Sequence, residues 1–338
     1  MKHKFYIDFE AITVNFLRWY KNKLTNNVSY NEDLPYCYSV GSFFNNEFKS
    51  YFQIIDFAQS TPKQIYKHLR RLLLSHLRLL TNDPNFIPNK TNSVFYAWGG
   101  DLERAVLSKL FDVEIDSLTD FNIALDKVVP DKIATKSTYF DTLENLKEHY
   151  KNKRLIKLIQ SGSDGRKACL YGLWFLLSHY NFCDLYKTDK KRILKEIKIY
   201  NMDDVYKLAF VETHWTQTQE FINKIISLRE QKTLLNNKNS IIVNLITILD
   251  ESDKEDKINP FIAEFLDQID TKIKEASDKD NIQNFFKQRT FIKMLGNLSK
   301  DKAFLNYIIE NMKEYVQKET KQFQEKLAKY NKNTWYKK

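Results

Sequence analysis

This 338-residue sequence predicts an α/β fold: a mixed sheet flanked by helices, followed by a C-terminal all-helical appendage. Three observations predict it. Up to about residue 212, stretches with the two-residue period of strands alternate with stretches of helical period. The second and third strands meet at Asn45-Asn46, so they pair antiparallel and make the sheet a mixed one. From about Thr213 strand patterning stops, and helical segments separated by charged stretches follow. Residues 1–212 are therefore read as one domain and residues 213–338 as a helical one. The second would serve as a substrate clamp or as a docking module for a protein partner.

Lys4–Thr13 (KFYIDFEAIT) reads as the first strand, because Phe5, Ile7 and Phe9 alternate along it. That alternation leaves Asp8 and Glu10 side by side on the other face. Two like charges that close repel and raise one pKa unless a cation lies between them. A solvated strand face carrying two acids is the competing account of this triplet taken alone. Tyr36–Phe44 and Glu47–Ile55 follow as the antiparallel pair, Lys63–Leu80 as a long helix behind Thr61-Pro62, and Thr81–Asn92 as a loop.

Ser93–Trp98 is the next strand, Gly99-Gly100 a turn, and a helix starts at Asp101. Asp101 directly follows the glycines and is the natural N-cap. Glu103 falls between Leu107 and Leu110 on the helix's apolar face. A buried acid is costly unless something pairs with it. Glu103 is thus the candidate ligand and Asp101 the candidate cap. Lys136–Asp141 is expected as a fifth strand and Arg166–Tyr180 as a helix. The polar loop Ser161–Lys167 opens that helix, and Arg166, Lys167 and the free N–H groups there would suit a phosphate. A plain loop and cap is the alternative. In the helix Ile193–Leu208, Tyr200 and Asp204 are four apart and share a face. A phenol beside a metal-bound carboxylate can orient or help deprotonate an attacking water. A buried Tyr one turn from an exposed Asp is the plain account. Beyond Thr213, Asp250–Lys257 is expected as a charged loop, with apolar-striped helices at Ile241–Leu249 and Phe261–Ile273.

A formal charge of +10 favours polyanionic partners, nucleic acid first among them. Cys37, Cys169 and Cys183 form no CxxC pair and are odd in number, which argues against disulfide and zinc frameworks and for a reducing cytoplasm. No apolar leader precedes Asp8. The longest apolar run, Ala168–Leu177, would reach about 15 Å as a helix, half a bilayer, so it reads as core rather than as a membrane span.

Asp8-Phe9-Glu10, the Glu103 segment and Tyr200-x-x-x-Asp204, in this order, resemble the DnaQ-like (DEDD) family of 3′–5′ exonucleases on the ribonuclease H-like fold. Asp-x-Glu on the first strand matches the family's first motif, and Tyr200 with Asp204 matches the third motif of its tyrosine branch. The histidine branch would need a His at the position of Ile199. Trp98-Gly99-Gly100-Asp101-Leu102-Glu103 occupies the frame of the second motif, but with Glu where Asp is commoner and without the usual His-Asn pair. Tyr139–Leu143 is similar to the Asp-Thr-Leu strand end of such enzymes.

The resemblance covers residues 1–212 and implies a metal-dependent nuclease. Asp8, Glu10, Glu103 and Asp204 would hold two Mg²⁺ or Mn²⁺ ions, Tyr200 would assist the attacking water, and a single-stranded 3′ end of DNA or RNA would be the substrate. A rival of another class keeps the fold as a catalytically inactive nucleic-acid-binding or scaffold protein. A third reading takes Glu196-Ile197-Lys198 as the Glu-x-Lys of a restriction-type nuclease, although that triplet normally sits on a strand.

Overall fold

The computed structural model describes residues 2–19, 32–55, 62–119, 123–133, 139–146, 156–157, 159–160, 162–179, 187–255, 258–275, 283, 285, 287–290 and 302–336. Two compact units are present: Met1–Gln219 together with Lys332–Lys338, and Glu220–Asn331. The division thus falls seven residues beyond the expected one, and the end of the chain belongs with the first unit.

In the first unit the strands are β1 (His3–Ile12), β2 (Leu34–Phe44), β3 (Glu47–Ile54), β4 (Ser93–Ala97) and β5 (Glu114–Ser117). They form one five-stranded mixed sheet in the order β3-β2-β1-β4-β5. β1–β2 and β2–β3 are antiparallel, whereas β1–β4 and β4–β5 are parallel. Asn45 and Asn46, at φ 51 and 65, make the left-handed turn of the β2–β3 hairpin.

The helices of this unit are α1 (Val14–Trp19), α2 (Pro62–Thr81), α3 (Asp101–Leu110), α4 (Asp141–Leu146), α5 (Asp164–His179) and α6 (Lys187–Thr213). Phe5, Ile7 and Phe9 of β1 join Leu69, Leu73 and Leu77 of α2 and Val106 and Leu107 of α3 in the main core. The opposite face of β1 meets α6, where Tyr6 packs with Val205, Leu208 and Ala209. Burying such aliphatic and aromatic side chains contributes roughly 1.5–3 kcal/mol each, an upper bound.

The apolar run Ala168–Leu177 is the buried body of α5, as its length predicts. Gly172 is required there. A Cβ at that position would lie 2.5 Å from the Tyr36 ring and 2.9 Å from Ile12 Cγ1, so only a glycine lets α5 approach the sheet this closely.

Two expectations are corrected. The fifth strand is Glu114–Ser117, not Lys136–Asp141: Asp141 begins α4, Tyr139 and Phe140 are core residues outside any strand, and residues 136–138 lie outside the described part. Glu196 of α6 takes the Thr142 N–H at 3.0 Å and its hydroxyl at 2.6 Å, which favours a helix start at this point. The stretch Asp250–Glu255 is not a loop but the end of helix α7 (Trp215–Glu255), and residues 256–257 lie outside the described part. Apart from one Ser it consists of Asp, Glu and Lys without Gly or Pro, so nothing in it breaks a helix.

The second unit is helical, built from α7, α8 (Ile258–Glu275) and α9 (Lys302–Ala328). Ile242, Leu245, Ile269, Ile309 and Val316 form its core. Among the described residues, no helix is long and apolar enough to cross a membrane.

Candidate functional site

α6 runs antiparallel to β1 along the face that Tyr6, Asp8 and Glu10 share. Tyr6 donates its hydroxyl to Glu212 Oε2 at 2.7 Å, and further along Asn201 Nδ2 donates to the Asp8 carbonyl at 3.3 Å and to its Oδ2. The helix from Glu212 back to Asn201 spans about 16 Å. That brings Asp204 and Tyr200 level with the Asp8–Glu10 end of the strand. A register shift between Glu10 and Ala11 interrupts the β1–β2 ladder just past the second acid, before the pairs Ala11↔Pro35 and Ile12↔Leu34.

Glu103 reaches the same place from the other side of the strand. β4 pairs with β1 only as far as Tyr6↔Tyr96, and the chain then turns away through Gly99 and Gly100, at φ 76 and 72. Those left-handed angles favour glycine, and at Gly100 a Cβ would also press on Ser117 at 3.3 Å. With β4 gone, the Phe9 N–H between the two acids finds Glu103 Oε1 at 3.2 Å. Asp101 is not the cap. Gly100 holds the N-cap position without a side-chain bond, and the Asp101 carboxylate is 99% exposed, facing Arg104 at 3.4 Å. Two left-handed glycines in succession complete the turn one residue early and point the Asp101 side chain into solvent.

Glu10 and Glu103 are buried, whereas Asp8 and Asp204 keep an edge to solvent. Burial raises the pKa of Asp8, and the charges of Glu10, Asp204 and Glu103 raise it further; the Asn201 amide opposes them. Glu10 is raised by burial, then by Asp204 and Glu103. Glu103 is pushed up to about 7, mainly by burial, although the Phe9 N–H pulls the other way. Asp204 also reaches about 7 through burial, restrained by Lys207 and by a hydrogen bond from Tyr200.

Tyr200 is 8% exposed and packs edge-on against Tyr139 at 5.3 Å and against Phe140 at 5.1 Å. Its hydroxyl is driven up by burial and then by Asp204, Glu10, Asp8 and Asp164. Tyr200 is therefore at once a core aromatic and a neighbour of the acids.

Asp164, whose charge is the smallest of those raising Tyr200, begins α5. Arg166 is exposed, and Lys167 Nζ lies 3.7 Å from Asp164 Oδ1. No contact joins either basic residue to the acids. The Glu196-Ile197-Lys198 triplet is helical, Glu196 is committed to Thr142 and Tyr171, and Lys198 is exposed.

Sequence reasoning missed Lys207, Asn201, Asp126 and Tyr139. Lys207 is fully buried and donates to Asp126 Oδ1 at 2.6 Å, Tyr139 OH at 2.9 Å and Asp204 Oδ1 at 3.2 Å. Asp203 Oδ2 accepts from Tyr139 and stands 4.0 Å from the ammonium. The signal for Lys207 and Asn201 was present, since they lie three residues after and three before Asp204 on one helix face.

Hard carboxylate oxygens make a donor set suited to Mg²⁺ or Mn²⁺. Two buried oxygens beside Asp8 lack a partner: Asn201 Oδ1, and Oγ of Ser39, which pairs with Asp8 across the β1–β2 ladder. Among the described residues, however, no group of three or more His, Cys, Asp or Glu side chains is arranged so that it could hold a metal ion. Asp8 and Asp204 each spend an oxygen on a nitrogen donor instead. The chain is thus a mixed α/β protein with a buried, mutually interacting carboxylate cluster at one end of its first strand. Comparisons with protein-family models, curated proteins and solved structures find no match.

Proposed function

We propose that this chain is a metal-dependent 3′–5′ exonuclease, similar to the tyrosine branch of the DnaQ-like enzymes on a ribonuclease H-like fold. One observation carries the reading. Glu103 on α3 and Asp204 on α6 lie close enough to Asp8 and Glu10 on β1 to raise the pKa of both, although the four are scattered over nearly two hundred residues. Carboxyl groups raised by burial and by one another's charge are the arrangement that functional sites concentrate. The mixed sheet with its antiparallel start suits the same reading.

Asp8, Glu10, Glu103 and Asp204 are the residues that would hold Mg²⁺ or Mn²⁺, two ions by the resemblance. Bound there, such ions supply charge neutralisation and water activation for phosphodiester hydrolysis. The protein's own part is fourfold. Glu103 is fixed by the Phe9 N–H, Asp8 by Asn201, and Asp204 by Lys207 and Tyr200. With its raised pKa the Tyr200 hydroxyl stays protonated, so it orients a water as a hydrogen-bonding group rather than as a phenolate base. The exposed edges of Asp8 and Asp204 leave an approach for the scissile phosphate. The start of α5, with Arg166 and Lys167, offers N–H groups and positive charge to the next phosphate.

The test is hydrolysis of 3′-labelled and 5′-labelled single-stranded DNA, duplex DNA and RNA with Mg²⁺, Mn²⁺ or EDTA. Stepwise loss from the 3′ end, abolished by EDTA, supports the proposal; no hydrolysis with either metal rejects it.

One observation favours a catalytically inactive nucleic-acid-binding protein as the second reading. Lys207 already neutralises Asp204. That reading expects nucleic-acid affinity that is indifferent to EDTA and to the loss of any of the acids.

A further inference from the structure

Lys207 is an unusual member of an acidic site: an ammonium with no exposed side-chain surface, on the same helix face as Asp204. Its three N–H bonds have three acceptors, Asp126 Oδ1, Tyr139 OH and Asp204 Oδ1. Its ring contact with Tyr139, 4.9 Å from Nζ to the centroid, closes the remaining side. A group so saturated has a fixed position, and it fixes what it binds.

Asp126 is itself held. It lies in the short turn Leu125–Lys127, and Lys332 Nζ donates to its carbonyl at 2.8 Å. Lys332 also pairs with Asp131 Oδ1 at 2.6 Å, and Asn333 Oδ1 accepts the Asp131 N–H at 2.7 Å. Trp335 Nε1 reaches the Val128 carbonyl at 2.8 Å, while Trp335 and Tyr336 pack on Phe210 of α6. The last described residues therefore clip the turn that carries Asp126 onto the helix that carries Lys207 and Asp204.

From this chain of contacts we infer that Lys207 is the built-in counter-charge and positioning residue of the acidic site, and that the C-terminal segment Lys332–Tyr336 holds it in place through Asp126. The inference rests on the exonuclease reading. Two consequences have opposite signs. The positive charge on Asp204 weakens the attraction of the cluster for a divalent ion. The same bond presents Asp204 in one orientation, which a reaction needing placement within about 0.5 Å requires. A lysine retained only for packing would not produce both effects.

The experiment measures Mn²⁺ affinity by calorimetry without substrate, and hydrolysis of a labelled oligonucleotide, for wild type, Lys207→Met, Lys207→Arg and Asp126→Asn. In Lys207→Met, Mn²⁺ should bind at least about tenfold more tightly while the hydrolysis rate falls at least about tenfold. Asp126→Asn removes a negative charge that partly offsets the ammonium, so Mn²⁺ should bind no more tightly than to wild type while the hydrolysis rate falls with the loss of the Lys207 anchor. Lys207→Arg should restore much of the affinity difference seen in Lys207→Met. Should Lys207→Met fail to fold, Lys207→Gln takes its place, with circular dichroism as the check. Weaker or unchanged Mn²⁺ binding in folded Lys207→Met or Lys207→Gln, or an undiminished hydrolysis rate in Asp126→Asn, overturns the inference and leaves the exonuclease reading standing. A wild-type protein that neither binds Mn²⁺ nor cleaves any oligonucleotide overturns both.

Discussion

Replacing Glu103 by Gln separates a buried acid kept for its charge from one kept as a hydrogen-bond acceptor. The amide oxygen of Gln can still take the Phe9 N–H, found at 3.2 Å from Glu103, so the fold keeps that bond. What disappears is the ionisation. The Glu103 pKa stands at about 7, against an ordinary 4.5, chiefly because burial penalises the charged form. For an acid raised in this way the folded state binds its proton more tightly than the unfolded chain does. Stability is therefore full at low pH and is lost as pH rises from about 4.5 to about 7.

Ionising the side chain above that range costs the metal-free protein on the order of 3 kcal/mol, at 1.36 kcal/mol per pKa unit. Glu103→Gln should accordingly exceed wild type by no more than about 1 kcal/mol at pH 5 and by about 3 kcal/mol at pH 8 in EDTA. Excess Mg²⁺ should return the lost stability to wild type and stabilise the variant much less. All the tryptophans, Trp19, Trp98, Trp174, Trp215 and Trp335, belong to the first unit, so urea unfolding followed by tryptophan fluorescence reports the unit that holds the site. A variant destabilised equally at pH 5 and pH 8 would refute the reasoning and leave Glu103 a structural acceptor only.

Asp8→Ala and Asp204→Ala should each abolish hydrolysis of labelled oligonucleotide, with circular dichroism unchanged because each removes a mutual repulsion; wild-type digestion by either variant refutes the site. Tyr200→Phe should keep Mn²⁺ affinity by calorimetry while lowering the single-turnover rate about 10²–10⁴-fold, and an unchanged rate would leave Tyr200 a packed aromatic. Trp335→Ala should destabilise the first unit by about 2 kcal/mol in urea, less than a fully buried Trp because the ring is only partly covered. A chain ended at Gln217 should likewise lose stability in its first unit, because it lacks Lys332–Tyr336; undiminished urea resistance would show the clip to be idle.

The sheet was legible wherever one face is apolar and the other polar. Phe5, Ile7 and Phe9 declare β1, and Asn45-Asn46 declares the hairpin, because period and turn chemistry are local properties. β5 was not legible. Its four residues, Glu-Ile-Asp-Ser, offer a single apolar side chain, and only the backbone pairing Val94↔Glu114 to Ala97↔Ser117 makes it a strand. Residues 139–141 misled for the converse reason. Tyr139 and Phe140 have strand propensity, but they are buried against Tyr200 and Tyr171, and the Glu196 carboxylate starts a helix two residues on.

At the site, strand alternation put Asp8 and Glu10 together, and helix spacing joined Tyr200 to Asp204. Glu103 needed one more step, from an acid on an apolar stripe to a partner the sequence could not name. That partner is the Phe9 backbone N–H, freed because β4 leaves the sheet at Gly99. No side-chain pattern encodes a backbone donor. Lys207 is the complementary case. In sequence it is one basic residue among 53 Lys and Arg, an ordinary choice for a solvated helix face. Its burial follows from Asp126 and from a tail more than a hundred residues further on, which meets the turn at 126–131 only in the folded chain. The acids are thus set by local periodicity and their counter-charge by the last residues of the chain. A change in Lys332 or Trp335 should accordingly reach Asp204 without touching any of the four clustered carboxylates.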